Sequence, residues 1–317
     1  MQRGIKLTET EWYEGRKTTI GASDVATICG LNPYKSPFRL WAEKTGKIEP
    51  EPSSLPARVG KVLEPLIASE YTLKTGRVLE NPGEFTVFPH PEFEWLRCTP
   101  DRIAYDSKVG DVWGAVEMKS IGEMAARDMK DDPKIEHTIQ LQIQLACLGL
   151  DRGDIIVLIG NRKTEIFSFE LRPKTIEKAL DECKRFYECL ITDTEPEIDG
   201  HESTSRALQL LHPDDNGDEI VFSEKAVEAA LKLEETKARI KELEMEKREA
   251  ENIIKAEMGD ATYGSCLDIR YSLKTQERKG FCKVDISLLD DLENEGYDPT
   301  VTSGSKFRVL RKSKALH

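Results

Sequence analysis

The chain has 317 residues, enough for one large domain or two unequal ones, and its 38% hydrophobic and 33% charged residues fit a folded protein. It has no apolar run of about eighteen residues and no apolar signal-peptide core at its N-terminus, so we expect a cytoplasmic protein without membrane contact. The net charge of −12 argues against a protein that coats nucleic acid non-specifically, but leaves room for a local basic groove.

Two short helices are predicted at residues 22–30 and 37–46, each ending at a glycine. A loop rich in Pro and Glu follows at 47–56, and then a helix at 59–75 that ends before Gly76. This helix should bury one face, formed by Val59, Leu63, Leu66, Ile67 and Tyr71 at helical spacing.

The centre of the chain changes to strand-like runs bounded by Gly, Pro or Asp. The predicted strands are Phe85–Phe88, Trp95–Cys98, Ile103–Tyr105, Trp113–Lys119, Ile155–Ile159 and Glu165–Phe169. Helices are predicted at 135–148 and 173–191. The fold class is therefore α/β, with a mixed central sheet flanked by helices.

Residues 201–220 have the composition of a linker with room for one short helix, which predicts a core at 1–200 and a second unit at 221–317. The second unit should begin with a long helix that has Ser223 as N-cap and ends at Gly259. Its thin apolar seam suits a helical hairpin or a coiled-coil contact, and consists of Leu233, Ile240, Leu243, Ala250 and Ile254. Two strands, Leu267–Leu273 and Lys306–Leu310, should complete a small β unit.

A candidate catalytic group lies in residues 95–120, read as strand, turn at Pro100-Asp101, strand, hairpin and strand. Residues two apart on a strand share a face, so Glu117 and Lys119 should project together while Val116 and Met118 face the core.

These side chains suit phosphodiester hydrolysis. Magnesium prefers oxygen ligands, which Asp101, Glu117 and the backbone carbonyl of Met118 can supply, and manganese is a possible substitute. Lys119 would orient the attacking water or steady developing charge. The competing interpretation is an ordinary salt-bridging pair on an exposed strand, because Glu-x-Lys is a common sequence.

Other polar residues extend the candidate site, each with a structural alternative. Glu64 follows an apolar-face residue of its helix but could be an ordinary exposed glutamate, and Gln140 lies among apolar residues where it could be a satisfied core amide. Arg16 and Ser23 flank a helix start suited to phosphate, although Ser23 could simply be the N-cap.

Taken in order, these motifs resemble a known family. They are Trp12…Arg16…Ile20-Gly21-Ala22-Ser23-Asp24, GLNPYKSPFRLWAEKTG, Gly60-x-x-x-Glu64-Pro65, CTPD, Glu117-Met118-Lys119 and Gln140-Leu141-Gln142. The chain resembles, over about residues 10–190, the YqaJ viral recombinase family of phage nucleases related to lambda exonuclease. That resemblance implies a restriction-endonuclease-like core of the PD-(D/E)XK superfamily, with residues 221–317 as an extension.

The resemblance also implies a function: a 5′→3′ exonuclease on double-stranded DNA that leaves 3′ single-stranded tails for an annealing protein. Asp101 and Glu117 would be metal ligands, Lys119 would position water, and Glu64 and Gln140 would complete the site. Arg16 and Ser23 match residues that anchor the 5′-phosphate. Relatives form a ring-shaped homotrimer around DNA.

Two departures from the family pattern concern the active-site hairpin. Many relatives have Pro-Asp-Gly where this chain has Pro100-Asp101-Arg102, and the hairpin to Glu117 is longer than in lambda exonuclease.

Three alternative functions follow from the same residues. The first is a structure- or site-specific endonuclease on the same fold. The second is a non-catalytic DNA-binding protein with a decayed nuclease core, against which the complete Asp101, Glu117 and Lys119 set speaks. The third, a glycosidase-like carboxylate pair, gives the lysine no role.

Overall fold

The structure is a computed structural model that describes residues 1–127, 129, 132–278 and 305–314. The chain divides into two compact units, Met1–Asn216 and Gly217–His317. Helices of the described residues are α1 (Glu9–Thr18), α2 (Ala22–Ile28), α3 (Pro37–Lys44), α4 (Leu55–Thr75), α5 (Glu123–Ala126), α6 (Ile135–Leu148), α7 (Pro173–Thr192), α8 (Glu202–Leu211) and α9 (Glu224–Met258). Strands are β1 (Ile5–Lys6), β2 (Ile20–Gly21), β3 (Val78–Glu80), β4 (Thr86–Pro89), β5 (Leu96–Cys98), β6 (Arg102–Tyr105), β7 (Val112–Ile121), β8 (Arg152–Ile159), β9 (Lys163–Glu170), β10 (Tyr263–Cys266), β11 (Ile269–Arg278) and β12 (Ser305–Lys314).

The first unit is built around a mixed sheet whose strand order, within the described residues, is β3-β6-β7-β8-β9. The central pair β7 and β8 is parallel, with Glu117 opposite Ile155, and the other pairs are antiparallel. Helix α6 connects the parallel pair, as such a crossover requires. The predicted α/β class, with a mixed sheet flanked by helices and a C-terminal long helix and small strands, is confirmed.

Both faces of β7 are buried because a helix packs on each. Val116 and Met118 pack with Ile67 and Tyr71 of α4, whereas Ala115 on the alternate face belongs to the larger core that includes Leu141 and other residues of α6. Val116 and Met118 thus point into a core, as predicted. The Glu117 face is covered as well, so this strand does not present the open polar face of an exposed sheet.

A smaller sheet, β1-β4-β5-β2, places the N-terminal segment beside the strand that leads to Asp101. Strand β2 pairs in parallel with β5, with Ile20 opposite Leu96 and Gly21 opposite Arg97. This pairing brings the start of α2 next to the active-site hairpin.

Helix α4 starts earlier than the sequence pattern indicated. Ser54 caps it by accepting a hydrogen bond from the Ala57 backbone, and Pro56 lies in its first turn. Its buried face is also narrower than predicted, because Val59 and Leu66 are exposed while Ile67 and Tyr71 are buried.

The segment interpreted as a linker, 201–220, contains the helix α8. Ser203 and Thr204 are buried, and their hydroxyls bond Ser36 at the start of α3 at 3.0 and 2.8 Å. The first compact unit therefore extends to Asn216, beyond the core predicted at 1–200.

The close approach of β7 and β8 requires a glycine at position 153. A Cβ there would lie 2.6 Å from the Ala115 carbonyl oxygen and 3.0 Å from Leu141 Cδ1. We expect Gly153→Ala to lower the free energy of unfolding by about 2 kcal/mol, measured by urea denaturation. Gly60→Ala in α4 is the matched control, because a Cβ there meets nothing within 4 Å. It should be neutral or stabilising, so equal losses for both variants would contradict the packing argument.

The second unit contains α9 and a three-stranded antiparallel sheet, β10-β11-β12, within the described residues. Ser223 caps α9 through a hydrogen bond from the Ala226 backbone, and the helix ends at Gly259, both as predicted. No helix in the described parts of the chain is long and apolar enough to cross a membrane.

Candidate active site

Asp101 is held at the point where β7 extends beyond its neighbour β6. Strand β6 begins at Arg102, opposite Val116, so the backbone N–H of Met118 has no strand partner on that side. The Asp101 carboxylate takes that place, and its Oδ2 accepts the Met118 N–H at 2.8 Å. One carboxylate oxygen is thereby fixed against β7.

Glu117 is a buried carboxylate, only 1% exposed, that is held by two glutamines of α6. Gln140 Nε2 donates to Glu117 Oε1 at 2.7 Å, and Gln144 Nε2 donates to Oε2 at 2.6 Å. Residues four apart lie on the same side of a helix, so one turn of α6 grips both oxygens.

Lys119 lies on the same face as Glu117 and completes the group. Its Nζ forms an ion pair with Glu117 Oε1 and donates to Gln140 Oε1 at 3.2 Å. The Lys119 side chain is 25% exposed, against 1% for the Glu117 side chain with which it pairs. Within the described structure, Asp101, Glu117, Lys119 and Gln140 thus come together as one cluster.

The charges in this cluster are unbalanced. Burial, and then the nearby charge of Glu117, raise the pKa of Asp101 to about 8, although the charge of Lys119 and the hydrogen bond from Met118 oppose the rise. Burial, partly opposed by Arg102, also raises the pKa of Glu64, which interacts electrostatically with Glu117. Burial would lower the pKa of Lys119, but the charges of Glu117 and Asp101 outweigh it and raise that pKa.

The donor chemistry fits a divalent cation. Asp101 and Glu117 offer hard oxygen ligands, and Glu64 adds a third carboxylate charge nearby, against the single ammonium of Lys119. No group of three or more His, Cys, Asp or Glu side chains is arranged to hold a metal ion in the described residues. The predicted ligand set differs from such a group, because it has two carboxylates and the Met118 carbonyl.

A small cavity of about 70 Å³, open to solvent, lies beside this cluster. Gln140 and Gln144 form part of its wall, and Arg16 and Ser23 form another part. Arg97 lines it too. The structure therefore places the two predicted phosphate-binding residues in the same cavity as the amides that hold Glu117.

The cavity carries excess positive charge. Arg16 stacks at 4.9 Å on the Trp12 ring, and its nearest acid, Asp24 at 3.4 Å, also binds Lys44 at 2.9 Å. Burial alone would raise the pKa of Asp24, but the charges of Lys44 and Arg16 outweigh it and lower that pKa. Arg97 donates to the Glu94 carbonyl and has no carboxylate partner among the described residues.

Ser23 is not the N-cap of α2, contrary to the structural alternative offered from sequence. Gly21 is the N-cap, and the Asp24 side chain accepts the Gly21 N–H at 2.9 Å. Ser23 is exposed in the first turn and faces the cavity. Its hydroxyl is thus available to a ligand.

Two site residues were missed from sequence. Gln144 contacts Glu117 as closely as Gln140 does, and its i,i+4 spacing from Gln140 was the signal that could have identified it. Arg97 lies on β5 and lines the cavity because β5 pairs with β2. Strand β2 has only two residues and is too short to recognise from sequence. The remaining glutamine of that run, Gln142, is a satisfied core amide that bonds the backbone of Glu170 and Arg172.

Comparison with known proteins identifies the domain that carries this site. Residues 11–151 match the family described as the YqaJ-like viral recombinase domain. This segment is similar to the YqaJ-like viral recombinase domain. The resemblance drawn from the order of motifs is thus confirmed, and every residue of the candidate site, from Arg16 to Gln144, lies within the matched segment.

The similarity to known proteins extends beyond residues 11–151. The chain is 27% identical over 270 residues to the uncharacterized protein YqaJ of Bacillus subtilis, covering 83% of this chain and 82% of that protein. The alkaline exonuclease LHK-Exo of Laribacter hongkongensis, solved with dAMP, is 22% identical with a TM-score of 0.48, covering 58% of this chain and 94% of that one. A phage-related exonuclease from Haemophilus somnus is 12% identical with a TM-score of 0.42, covering 56% and 96%.

Proposed function

We propose that the chain is a metal-dependent 5′→3′ exonuclease that degrades one strand of double-stranded DNA during phage-type recombination. The observation that carries the proposal is the juxtaposition of two features on α6. Gln140 and Gln144 hold the buried carboxylate of Glu117, and the same two residues line the cavity that contains Arg16 and Ser23. A hydrolytic centre beside a positively charged cavity is the arrangement needed to cut near a phosphorylated end.

Asp101, Glu117 and the Met118 carbonyl would hold Mg²⁺, or Mn²⁺ in its place. When bound, the cation would activate water and neutralise charge on the phosphate. Gln140 and Gln144 keep the Glu117 carboxylate in one orientation, because each amide fixes one oxygen. The Lys119 ammonium lies beside Glu117 and would orient the attacking water or steady charge on the scissile phosphate. Glu64 would contribute from α4.

The cavity would set the direction of digestion. Arg16, Arg97 and the exposed hydroxyl of Ser23 are suited to a terminal phosphate, which presents more negative charge than an internal phosphodiester. A strand whose 5′-phosphate occupies the cavity has its end beside Glu117. Digestion would then proceed from the 5′ end and leave a 3′ single-stranded tail.

The test is digestion of linear duplex DNA labelled at either end, with 5′-phosphate or 5′-hydroxyl termini and with Mg²⁺ or EDTA. We expect Mg²⁺-dependent release of mononucleotides from the 5′ end and no cutting of closed circular DNA. Equal cutting of linear and circular DNA would indicate an endonuclease. DNA binding without cleavage in Mg²⁺ would indicate a non-catalytic protein.

Arg16→Gln tests the role of the cavity separately from hydrolysis. Loss of a charge-assisted contact to the 5′-phosphate should reduce kcat/KM on phosphorylated ends by about 10–100-fold and leave hydroxyl ends nearly unchanged. Lys17→Gln is the control, because Lys17 is exposed and paired with Glu14. An equal loss on both kinds of end would refute selective phosphate binding by Arg16.

The same proposal includes the biological setting. The product, a 3′-tailed duplex, is the substrate of a single-strand annealing protein, which would be the partner. We also propose a homotrimeric ring around DNA, which would reconcile a chain of net charge −12 with a basic inner surface, and action in the cytoplasm of a bacterial host.

A further inference from the structure

Helix α9 lacks a partner for its apolar seam within the described residues. Every residue from 227 to 250 is exposed, and the seam residues Leu233, Ile240 and Leu243 are 53%, 51% and 51% exposed. Intrahelical pairs such as Lys237–Glu234 support the helix locally, but they leave the apolar side chains in water. A helix of 35 residues, about 52 Å long, therefore offers a long and narrow contact surface.

The seam follows a seven-residue repeat. Leu233, Ile240 and Ile254 occupy one core position of the repeat, and Leu243 and Ala250 occupy the other, the a and d positions of a coiled coil. A repeat of seven keeps the seam facing a partner helix along its whole length.

We infer that α9 forms an antiparallel two-stranded coiled coil with α9 of a second copy of this chain, centred between Lys241 and Glu242. Because such a pair is two-fold symmetric, it would join chains of two different rings where the chain also forms the proposed trimer. In this alignment Ile240 packs beside Leu243 of the second copy, and Leu233 packs beside Ala250 of the second copy. The apolar residues of the two helices therefore coincide layer by layer.

The flanking charges select the antiparallel orientation. Positions next to the core are basic in the first half of the seam, at Lys237 and Arg239, and acidic in the second half, at Glu244 and Glu246. The positions that flank the core are called e, here Lys237 and Glu244, and g, here Arg239 and Glu246. In an antiparallel pair each e position lies beside an e position of the partner, and each g position lies beside a g position. Lys237 then meets Glu244 of the second copy, and Arg239 meets Glu246 of the second copy, so both pairs attract and each occurs twice.

A parallel pair in register is disfavoured by the same residues. There, each g position meets the e position five residues later on the partner. Lys232 would meet Lys237 and Glu246 would meet Glu251, which are both repulsive, and a single kind of attractive contact would remain.

Two polar core positions agree with the proposed alignment. Thr236 and Lys247 interrupt the seam, and in the antiparallel alignment they lie in the same layer, each opposite the other on the second copy. If one helix were shifted along the other by one repeat of seven residues, Lys247 would lie opposite an apolar residue or the end of a helix would be left unpaired. A polar residue in the core fixes register at some loss of stability.

Cysteine cross-linking of the full chain tests the orientation. In a background with the exposed Cys266 replaced by serine, Leu233→Cys and Ala250→Cys chains are purified separately, mixed and oxidised. The inference predicts a 233–250 disulfide in the mixture and no link in the Leu233→Cys sample alone, because its two thiols would lie about 25 Å apart. Mass spectrometry of linked peptides identifies the pair.

The matched control uses Leu231→Cys mixed with Asn252→Cys, which lie at the same level of the helix pair but on its outer faces, so no link should form. Sedimentation of the Ile240→Asp, Leu243→Asp double variant should show loss of the larger species that the wild type forms. A 233–233 link would overturn the inference in favour of a parallel pair. No link, together with a sedimentation coefficient unchanged in the double variant, would show that α9 is a lone helix.

Discussion

Asp101→Asn is expected to abolish cleavage and, at the same time, to stabilise the metal-free protein at pH 8. The change removes a proposed metal ligand, so the rate of duplex digestion should fall by at least about 10³-fold. It keeps the size of the side chain and an oxygen that can accept the Met118 N–H. The fold should therefore be retained while one of the crowded carboxylates loses its charge.

The sign of the stability effect follows from the raised pKa of Asp101, about 8 in the folded chain against an ordinary value near 4. Below pH 4 this carboxyl is protonated in both the folded and unfolded states and costs nothing. As the pH rises towards 8, the unfolded chain loses the proton first, so the stability contributed by this group is progressively lost. Asparagine removes that loss, which for a shift of about four pKa units corresponds to roughly 5 kcal/mol at pH 8.

Thermal or urea unfolding in EDTA at pH 5 and pH 8 measures this effect. The difference between Asp101→Asn and wild type should be larger at pH 8. Added Mg²⁺ should stabilise the wild type and leave the variant unchanged, because binding to the folded state raises stability. Asp132→Asn, at an exposed position, is the control. Destabilisation of Asp101→Asn at pH 8 would contradict the charge argument.

Lys119→Met is expected to abolish cleavage with the opposite effect on stability. The substitution retains a long unbranched side chain but removes the cation beside Glu117, which is 1% exposed. An unpaired buried carboxylate is costly, so the metal-free variant should lose about 2–4 kcal/mol of stability. Its cleavage rate should fall by about 10²-fold or more.

The control for Lys119→Met is Lys163→Met, because Lys163 pairs with Glu165 on the edge strand β9 and is well exposed. That variant should unfold and digest DNA like the wild type. If Lys119→Met kept the wild-type stability in EDTA, Glu117 would not depend on Lys119 for its charge balance. If it kept the wild-type cleavage rate, Lys119 would have no part in the reaction.

Much of the first unit follows from local sequence signals. Helix α6 begins and ends where its apolar run and Gly149 place it, and the strands around Asp101 and Glu117 were recognised from alternation and turn residues. The shared face of Glu117 and Lys119 follows from strand geometry alone.

The features that the sequence did not reveal depend on contacts between distant parts of the chain. Strand β2 is two residues long and exists because it pairs with β5, so the approach of Arg97 to Arg16 has no local signature. A short helix was allowed for within residues 201–220, but the packing of α8 against α3 was not foreseen, because the buried residues of α8, Ser203, Thr204 and Ala207, are small. The depth of Glu117 depends on the cover supplied by α6, which alternation in β7 cannot reveal.

Helix α6 has one further consequence for how the chain would process DNA. Gln140 and Gln144, one helical turn apart, hold the proposed catalytic carboxylate of Glu117 and also form part of the wall of the proposed end-binding cavity. If the proposed function is right, the spacing between a bound strand end and the hydrolytic centre would be set by helix α6 alone. A fixed spacing would make each released product the same number of nucleotides long. The chain would then advance along DNA in uniform steps whatever the base sequence.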